Sequence, residues 1–230
     1  MKKNKKNTNT ENGWDAEIND WGIEEEIEFV DKDLMENELE STDDKLIRLY
    51  NQKTMQVIKH IDEFGLPSKN EQLRLITKRS FNAVAFMQKI SQTEKIIDCY
   101  MVVYSINYEA ALIINKLVES GTIQEATIMI SNLRNQAYRK KEESVKQFFI
   151  NNKNIELIYA PSHAKIISFK TDKDNHYTIE GSGNLSFNSR IEQYIIDNDK
   201  KLYEFTEQWI NEIKEYYKTS KSFVVYPKNK

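Results

Sequence analysis

The sequence predicts an α/β fold, a mixed and mainly parallel sheet flanked by helices, on three observations. Residues 96–106 (IIDCYMVVYSI) and 126–130 (ATIMI) are continuous apolar runs of strand length. Such runs suit strands buried on both faces, whereas half-wet strands alternate. Helical segments are interleaved with these runs, at 108–119 closed by Gly121 and at 138–150. Strand and helix in alternation build a sheet covered by helices. Finally, residues 200–217 form a long amphipathic helix with Leu202, Phe205, Trp209, Ile210, Ile213 and Tyr217 on its buried side, an apolar stripe that needs a sheet to lie on.

The elements follow in order. Residues 1–45 read as an acidic, disordered tail, polar and poor in packing residues. Trp14, Trp21, Ile23, Ile27, Phe29 and Val30 interrupt its acids. They offer a short segment that folds on a protein partner, beside the simpler reading of a solvated tail. Residues 46–91 read as a helical extension of two helices. The first spans 46–64, with Leu46, Leu49, Tyr50, Val57, Ile61 and Phe64 near helical spacing, and ends at Gly65-Leu66-Pro67. Ser68 caps the second, with Glu71 completing a capping box, and the helix runs through Leu73, Ile76, Phe81, Val84, Ala85 and Ile90. Its polar side carries Lys69, Arg74, Lys78, Arg79 and Lys89, a basic face that is solvated or meets nucleic-acid backbone. The remaining domain, 92–230, adds strands at 155–159, 163–169, 177–179 and 193–196, with 171–175 (TDKDN) as a polar turn.

Composition narrows the function classes. Of 36 acidic residues, 15 lie in 1–45 beside six lysines, leaving 21 acidic against 27 basic in 46–230. The folded part is therefore mildly basic. The single cysteine, Cys99, excludes an internal disulfide framework and a cysteine-rich zinc site and reads as a core thiol. There is no HExxH motif and no P-loop. No apolar run is long enough to span a bilayer, and the N-terminus lacks the apolar core of a secretory leader. A soluble, cytoplasmic protein is the expectation.

The chemistry-bearing residues lie late in the chain. On the strand 163–169, His163, Lys165, Ile167 and Phe169 point one way and Ala164, Ile166 and Ser168 the other. His163 and Lys165 then share a face, with Cα atoms roughly 7 Å apart by strand rise. The next strand runs into Gly181-Ser182-Gly183-Asn184. There the glycines let the backbone approach a ligand, and Ser182 and Asn184 add donors. Glu192 follows. An imidazole, an ammonium, a hydroxyl, an amide and a carboxylate in this order could attack and hold a phosphodiester without a metal.

His163-x-Lys165, Gly181-Ser182-x-Asn184 and Glu192 together resemble the signature of the phospholipase D superfamily, over about residues 92–218. The resemblance implies that His163 is the nucleophile and Lys165 a phosphate ligand. It also implies that Ser182 and Asn184 contact the phosphate or hold the site, that Gly181 and Gly183 lie against the substrate, and that Glu192 orients a histidine. No cofactor and no metal is implied. The family carries an Asp five residues after the Lys. Here that position is Lys170, and Asp172 and Asp174 in the following turn are the two candidates to replace it. The superfamily needs two His-x-Lys motifs per site, whereas His60 and His176 lack a matching Lys and read as ordinary polar histidines. The resemblance thus implies a symmetric homodimer with the site on its twofold axis. Single-motif members of the family are typically nucleases, which makes DNA or RNA the expected partner. A catalytically idle nucleic-acid-binding or assembly module is the second reading, and a lipid phosphodiesterase the third.

Overall fold

The computed structural model describes residues 40–42, 45–52, 61, 65–77, 82–132, 143, 145–185, 191–220 and 223–228. In chain order the elements are β1 (Glu40–Thr42), β2 (Lys45–Gln52), β3 (Glu71–Thr77), α1 (Val84–Ile90), β4 (Ile96–Val103), α2 (Tyr108–Glu119), β5 (Ile123–Ser131), β6 (Ile155–Ala160), β7 (Ile166–Thr171), β8 (His176–Gly181), β9 (Glu192–Asn198), α3 (Lys200–Tyr217) and β10 (Val224–Tyr226). Residues 145–150 are also helical. Among the described residues the strands form one sheet in the order β1-β2-β3-β9-β8-β7-β4-β5-β6-β10.

The continuous apolar runs become the middle of that sheet because both of its faces are covered there. Along β4, Cys99, Met101 and Val103 enter one core, while Tyr100 and Val102 enter the other. On β5, Ile128 and Ile130 face the first core and Met129 the second. Alternate residues of one strand thus feed two cores, which explains why 99–103 and 128–130 carry no charged residue. Buried side chains of α1, α2 and the 145–150 helix fill the first core, and Tyr203 and Ile210 of α3 the second. Asn107 caps α2 by accepting from the Ala110 N–H, and Asp199 caps α3 by accepting from Lys201 and Leu202. Gly121 closes α2 at φ +72°, a conformation that favours glycine.

The mixed α/β sheet flanked by helices is as expected from sequence, with corrections. Parallel pairs join β4, β5 and β6, and also β2 and β3. The other six pairs are antiparallel, so the sheet is not mainly parallel. Its β7–β8–β9 portion is a meander, because the turn and the Gly-Ser segment are short enough to reverse the chain.

Among the described residues, the two expected helices before residue 92 both begin as strands, while Ile61 and 84–90 are helical. β2 occupies the start of the first, paired parallel to β3 from Leu46 opposite Glu71 to Gln52 opposite Thr77. The rest of that expected helix lies mostly outside the described residues. β3 replaces the start of the second. Leu73, Leu75 and Thr77 are buried and Arg74 and Ile76 exposed, a period of two that the Leu73–Ile76 spacing disguised as helical. The Ser68–Glu71 pair forms, with the Ser68 N–H donating to Glu71 Oε2 at 2.6 Å. It closes a turn through Asn70 (φ +62°) into a strand rather than capping a helix. Among the described residues of that segment, 84–90 are helical, as α1. Since β3 pairs with β9, the sheet has no boundary at residue 92. The expected tail falls mainly outside the described residues, although 40–42 form β1.

Two further expectations shift. β7 begins at Ile166, so His163 and Lys165 precede the strand. On α3 the buried residues are Tyr203, Thr206 and Ile210, while Phe205 is 64% exposed.

Candidate active site

One edge of the sheet gathers the candidate residues because the topology delivers six strand ends there. β4, β5 and β6 run parallel, so their C-terminal ends coincide. β6 leads through Pro161 and Ser162 to His163. β7 starts beside the end of β4, with Ile166 opposite Val102. β8 ends beside that start, with Glu180 opposite Ile166, and β9 follows, with Tyr194 opposite Gly181. A concavity of about 500 Å³ opens at this edge. His163, Lys165, Gly181 and Ser182 line it together with Ala164, Ile166, Glu180, Gln193 and Ile195.

His163 is exposed, and its ring lies 4.8 Å from that of Tyr104, tilted 51°. Lys165 Nζ donates to the His163 carbonyl at 3.1 Å and sits 3.4 Å from His163 Nδ1. The two heads meet although the backbone there is not a strand.

Behind them, the Ser182 hydroxyl donates to the buried carboxylate of Glu192 and accepts from the Gln193 N–H at 3.0 Å. The Ser182 N–H donates to the Gln193 carbonyl. Ser182 is therefore a clamp on Glu192, with its hydroxyl proton already committed. Asn184 Oδ1 accepts from the Ser105 N–H at 3.2 Å, and Leu185 N–H donates to the Ser105 carbonyl. These bonds tie the Gly-Ser segment to the end of β4. Asn184, Gly183 and Glu192 thus support the cavity from behind its lining.

The glycines answer to Tyr194. A Cβ on Gly181 would strike the Gln193 carbonyl and come within 2.7 Å of Tyr194 Cδ1. One on Gly183 would strike the Tyr194 hydroxyl, with Cζ at 2.8 Å. Burial pushes the Tyr194 hydroxyl's pKa up, and the Glu192 charge adds to the rise.

The two aspartates lie at the other end of the β7–β8 hairpin. Asp172 Oδ1 accepts from the Lys95 N–H at 2.9 Å, and Asp174 pairs with Lys69 at 2.6 Å. Neither lines the cavity. Lys170 stands opposite Asp98 on β4, with its ammonium 5.8 Å from the Tyr203 ring centre. His176 is buried, not a surface histidine, and packs 5.4 Å from the Tyr203 ring. His60 lies outside the described residues. Sequence reading missed Tyr104, Glu180 and Gln193. Glu180 immediately precedes the Gly-Ser turn, so pairing the hairpin back from that turn would have placed it beside Ile166. Among the described residues no three His, Cys, Asp or Glu side chains converge to hold a metal ion. Among the same residues no helix is long and apolar enough to cross a membrane.

The architecture is similar to that of a polyphosphate kinase from Porphyromonas gingivalis, at TM-score 0.50 and 9% identity, over 69% of this chain and 29% of that one. Nuc, a phospholipase D family member from Salmonella typhimurium, aligns at TM-score 0.46 and 14% identity, over 67% of this chain and 99% of that one. A mutant yeast tyrosyl-DNA phosphodiesterase 1 aligns at TM-score 0.31 and 11% identity, over 44% and 25%. At these identities the likeness concerns fold alone, and the chain spans under a third of the kinase. No family model and no curated relative matches its sequence.

Proposed function

We propose that this chain is a metal-independent phosphodiesterase acting on nucleic acid, working through a phosphohistidine at a site shared across a homodimer. The observation that carries the reading is the pairing of His163 with Lys165 in a cavity at the converging strand ends. Lys165 meets His163 at Nδ1. A neutral imidazole accepting there carries its proton on Nε2. An incoming phosphodiester draws the ammonium onto its oxygens, which frees Nδ1 to hold the proton and Nε2 to attack. The N–P bond forms as the bond to the leaving oxygen breaks. His163 of the partner subunit gives that oxygen a proton, then takes one from the water whose oxygen displaces the histidine. Glu192, clamped by Ser182, stands behind the cavity to orient an imidazole. The excess of basic residues in 46–230 favours nucleic acid as the bound polyanion.

Cleavage of labelled single- and double-stranded DNA and RNA in excess chelator, with wild type beside His163→Ala, tests this. Turnover by wild type alone is expected. The second reading, an idle binding module, is favoured by Lys170 standing where the resembling family carries Asp. Salt-sensitive binding without cleavage, equal in both proteins, would establish it in place of the enzyme.

A further inference from the structure

The cavity lining holds two kinds of group. His163 and Lys165 suit a phosphate, but Glu180 and Gln193 line the same space. Glu180 is paired with Ile166 of β7 on one side and with Ile195 of β9 on the other. Directly paired residues on neighbouring strands share a face, with Cβ atoms about 4.5–5.5 Å apart. The Glu180 carboxylate therefore rises between two isoleucines, and all three residues are half-buried. Gln193, exposed and two residues before Ile195, stands on that face too, on the diagonal from Glu180. Among the described residues lining the cavity, Glu180 supplies the one carboxylate. Carboxylate oxygens only accept hydrogen bonds, and so do the oxygens of a phosphodiester. Glu180 thus has no bond to offer the phosphate that His163 and Lys165 would hold. The part of a substrate that reaches it must be a donor.

We propose that Glu180 and Gln193 form a subsite for the Watson–Crick edge of guanine, in an unpaired strand beside the scissile phosphate. This subsite rests on the nucleic-acid reading above and deepens it. The donors of nucleic acid are the ribose 2′-hydroxyl and the N–H groups of the base edges. Guanine presents two parallel donors, N1–H and the N2 amino group, which match the two oxygens of a carboxylate in a bidentate pair. Adenine and cytosine set an acceptor beside their amino group, and uracil and thymine set acceptors on both sides of one N–H. Each of these would press a lone pair on the carboxylate. Guanine O6 lies next along the same edge, and the Gln193 amide is the donor that serves it. The flanking isoleucines lower the local dielectric and strengthen these bonds. Ile166 directly follows Lys165 in the chain, so the base subsite adjoins the phosphate-binding group. In a duplex this edge of guanine is spent on cytosine, which makes single-stranded nucleic acid the substrate.

Calorimetry on the full chain with nucleoside 5′-monophosphates tests this. Mononucleotides hold no scissile diester, so binding is read apart from turnover. Guanosine monophosphate is expected to bind about tenfold or more tighter than the adenosine, cytidine and uridine compounds. Inosine monophosphate lacks only the N2 amino group and should lose most of that advantage. This change is made in the ligand, so misfolding cannot imitate it. Glu180→Gln trades one acceptor for a donor and should abolish the preference. Adenosine monophosphate should bind that variant at least as well as wild type, which shows that the variant folds. Equal or absent binding of all four, inosine equal to guanosine, or a preference that survives Glu180→Gln overturns the subsite. So does a preference for ribonucleotides over deoxyribonucleotides without regard to base, which would assign Glu180 to the 2′-hydroxyl. A protein that selects guanosine and cleaves nothing would overturn the nuclease reading and leave the subsite standing. Cleavage of nucleic acid with no choice of base in binding would do the reverse.

Discussion

The two ends of the β7–β8 hairpin are built from similar polar residues and do opposite things. At the turn end every group named is spent on another. Asp172 holds the Lys95 N–H, Asp174 holds Lys69, and Asn175 donates to Glu94 and accepts from Asn198. Asn198 in turn donates to the Pro67 carbonyl. At the cavity end the spent groups are Glu192 and Asn184 behind the lining and the Ser182 hydroxyl that holds Glu192, while His163 and Lys165 face the concavity. Polar residues at a turn stabilise the reversal by saturating one another. A reactive site needs a saturated back and an available front. This contrast, more than residue type, separates the carboxylates of the turn from the site.

The contrast breaks most visibly at its front. His163→Ala is expected to lower turnover at least about a thousandfold with the dimer intact in sedimentation, because it removes the nucleophile and no core volume. Lys165→Ala should cost about 10²–10³ in rate through lost phosphate stabilisation, read in single-turnover kinetics. Behind them, Glu192→Gln and Ser182→Ala should each cost about tenfold. The double variant should cost little more than either, since residues acting as one unit are not additive. Summed losses would mean that they act separately.

Gly183→Ala sharpens the packing side of the comparison. Its methyl meets the buried Tyr194 ring, so a loss of about 1–3 kcal/mol is expected in urea denaturation. At the turn end, Asp172→Asn and Asp174→Asn should leave turnover unchanged, and a large loss from either would put a carboxylate back into the chemistry. Lys69 holds the Asp174 carboxyl below its ordinary value. Its contribution to stability is therefore present above the unfolded pKa and is lost as pH falls through the lower folded one. The effect is small and confined to below about pH 4. Asp174→Asn should flatten that limb of the stability–pH curve, measured by urea midpoints.

Much of this could be read from the chain, for physical reasons. The middle strands announce themselves because burial on both faces removes charged residues from 99–103. α2 and α3 carry their own caps in Asn107 and Asp199. The Gly-Ser segment and His163-x-Lys165 lie close together in sequence, so a short meander suffices to bring them to one edge. β3 did not announce itself, because Leu73 and Ile76 fit a helix as readily as Leu73 and Leu75 fit a strand. Its true partner, β9, is remote and invisible to local pattern. The strand extent at His163 was overestimated, since alternation in HAKIISF continues past the point where pairing with β4 stops. The stripe on α3 was displaced for a related reason: Phe205 is apolar, but Tyr203 and Thr206 face the sheet. Tyr194 as the cause of both glycines could not be read at all, because the cause lies on another strand.

The place of β3 in the sheet also sets a timetable for synthesis. Thr77 meets Glu192 across 115 positions of chain. At about 5–20 residues per second, roughly 6 to 23 s separate the emergence of the two from the ribosome. Throughout that interval β3 offers an open edge, with Leu73 and Leu75 not yet covered by β9. The early strands of this protein are therefore guests of its last third, and a nascent chain halted before β9 would carry a hydrophobic edge for chaperones to hold or other chains to join.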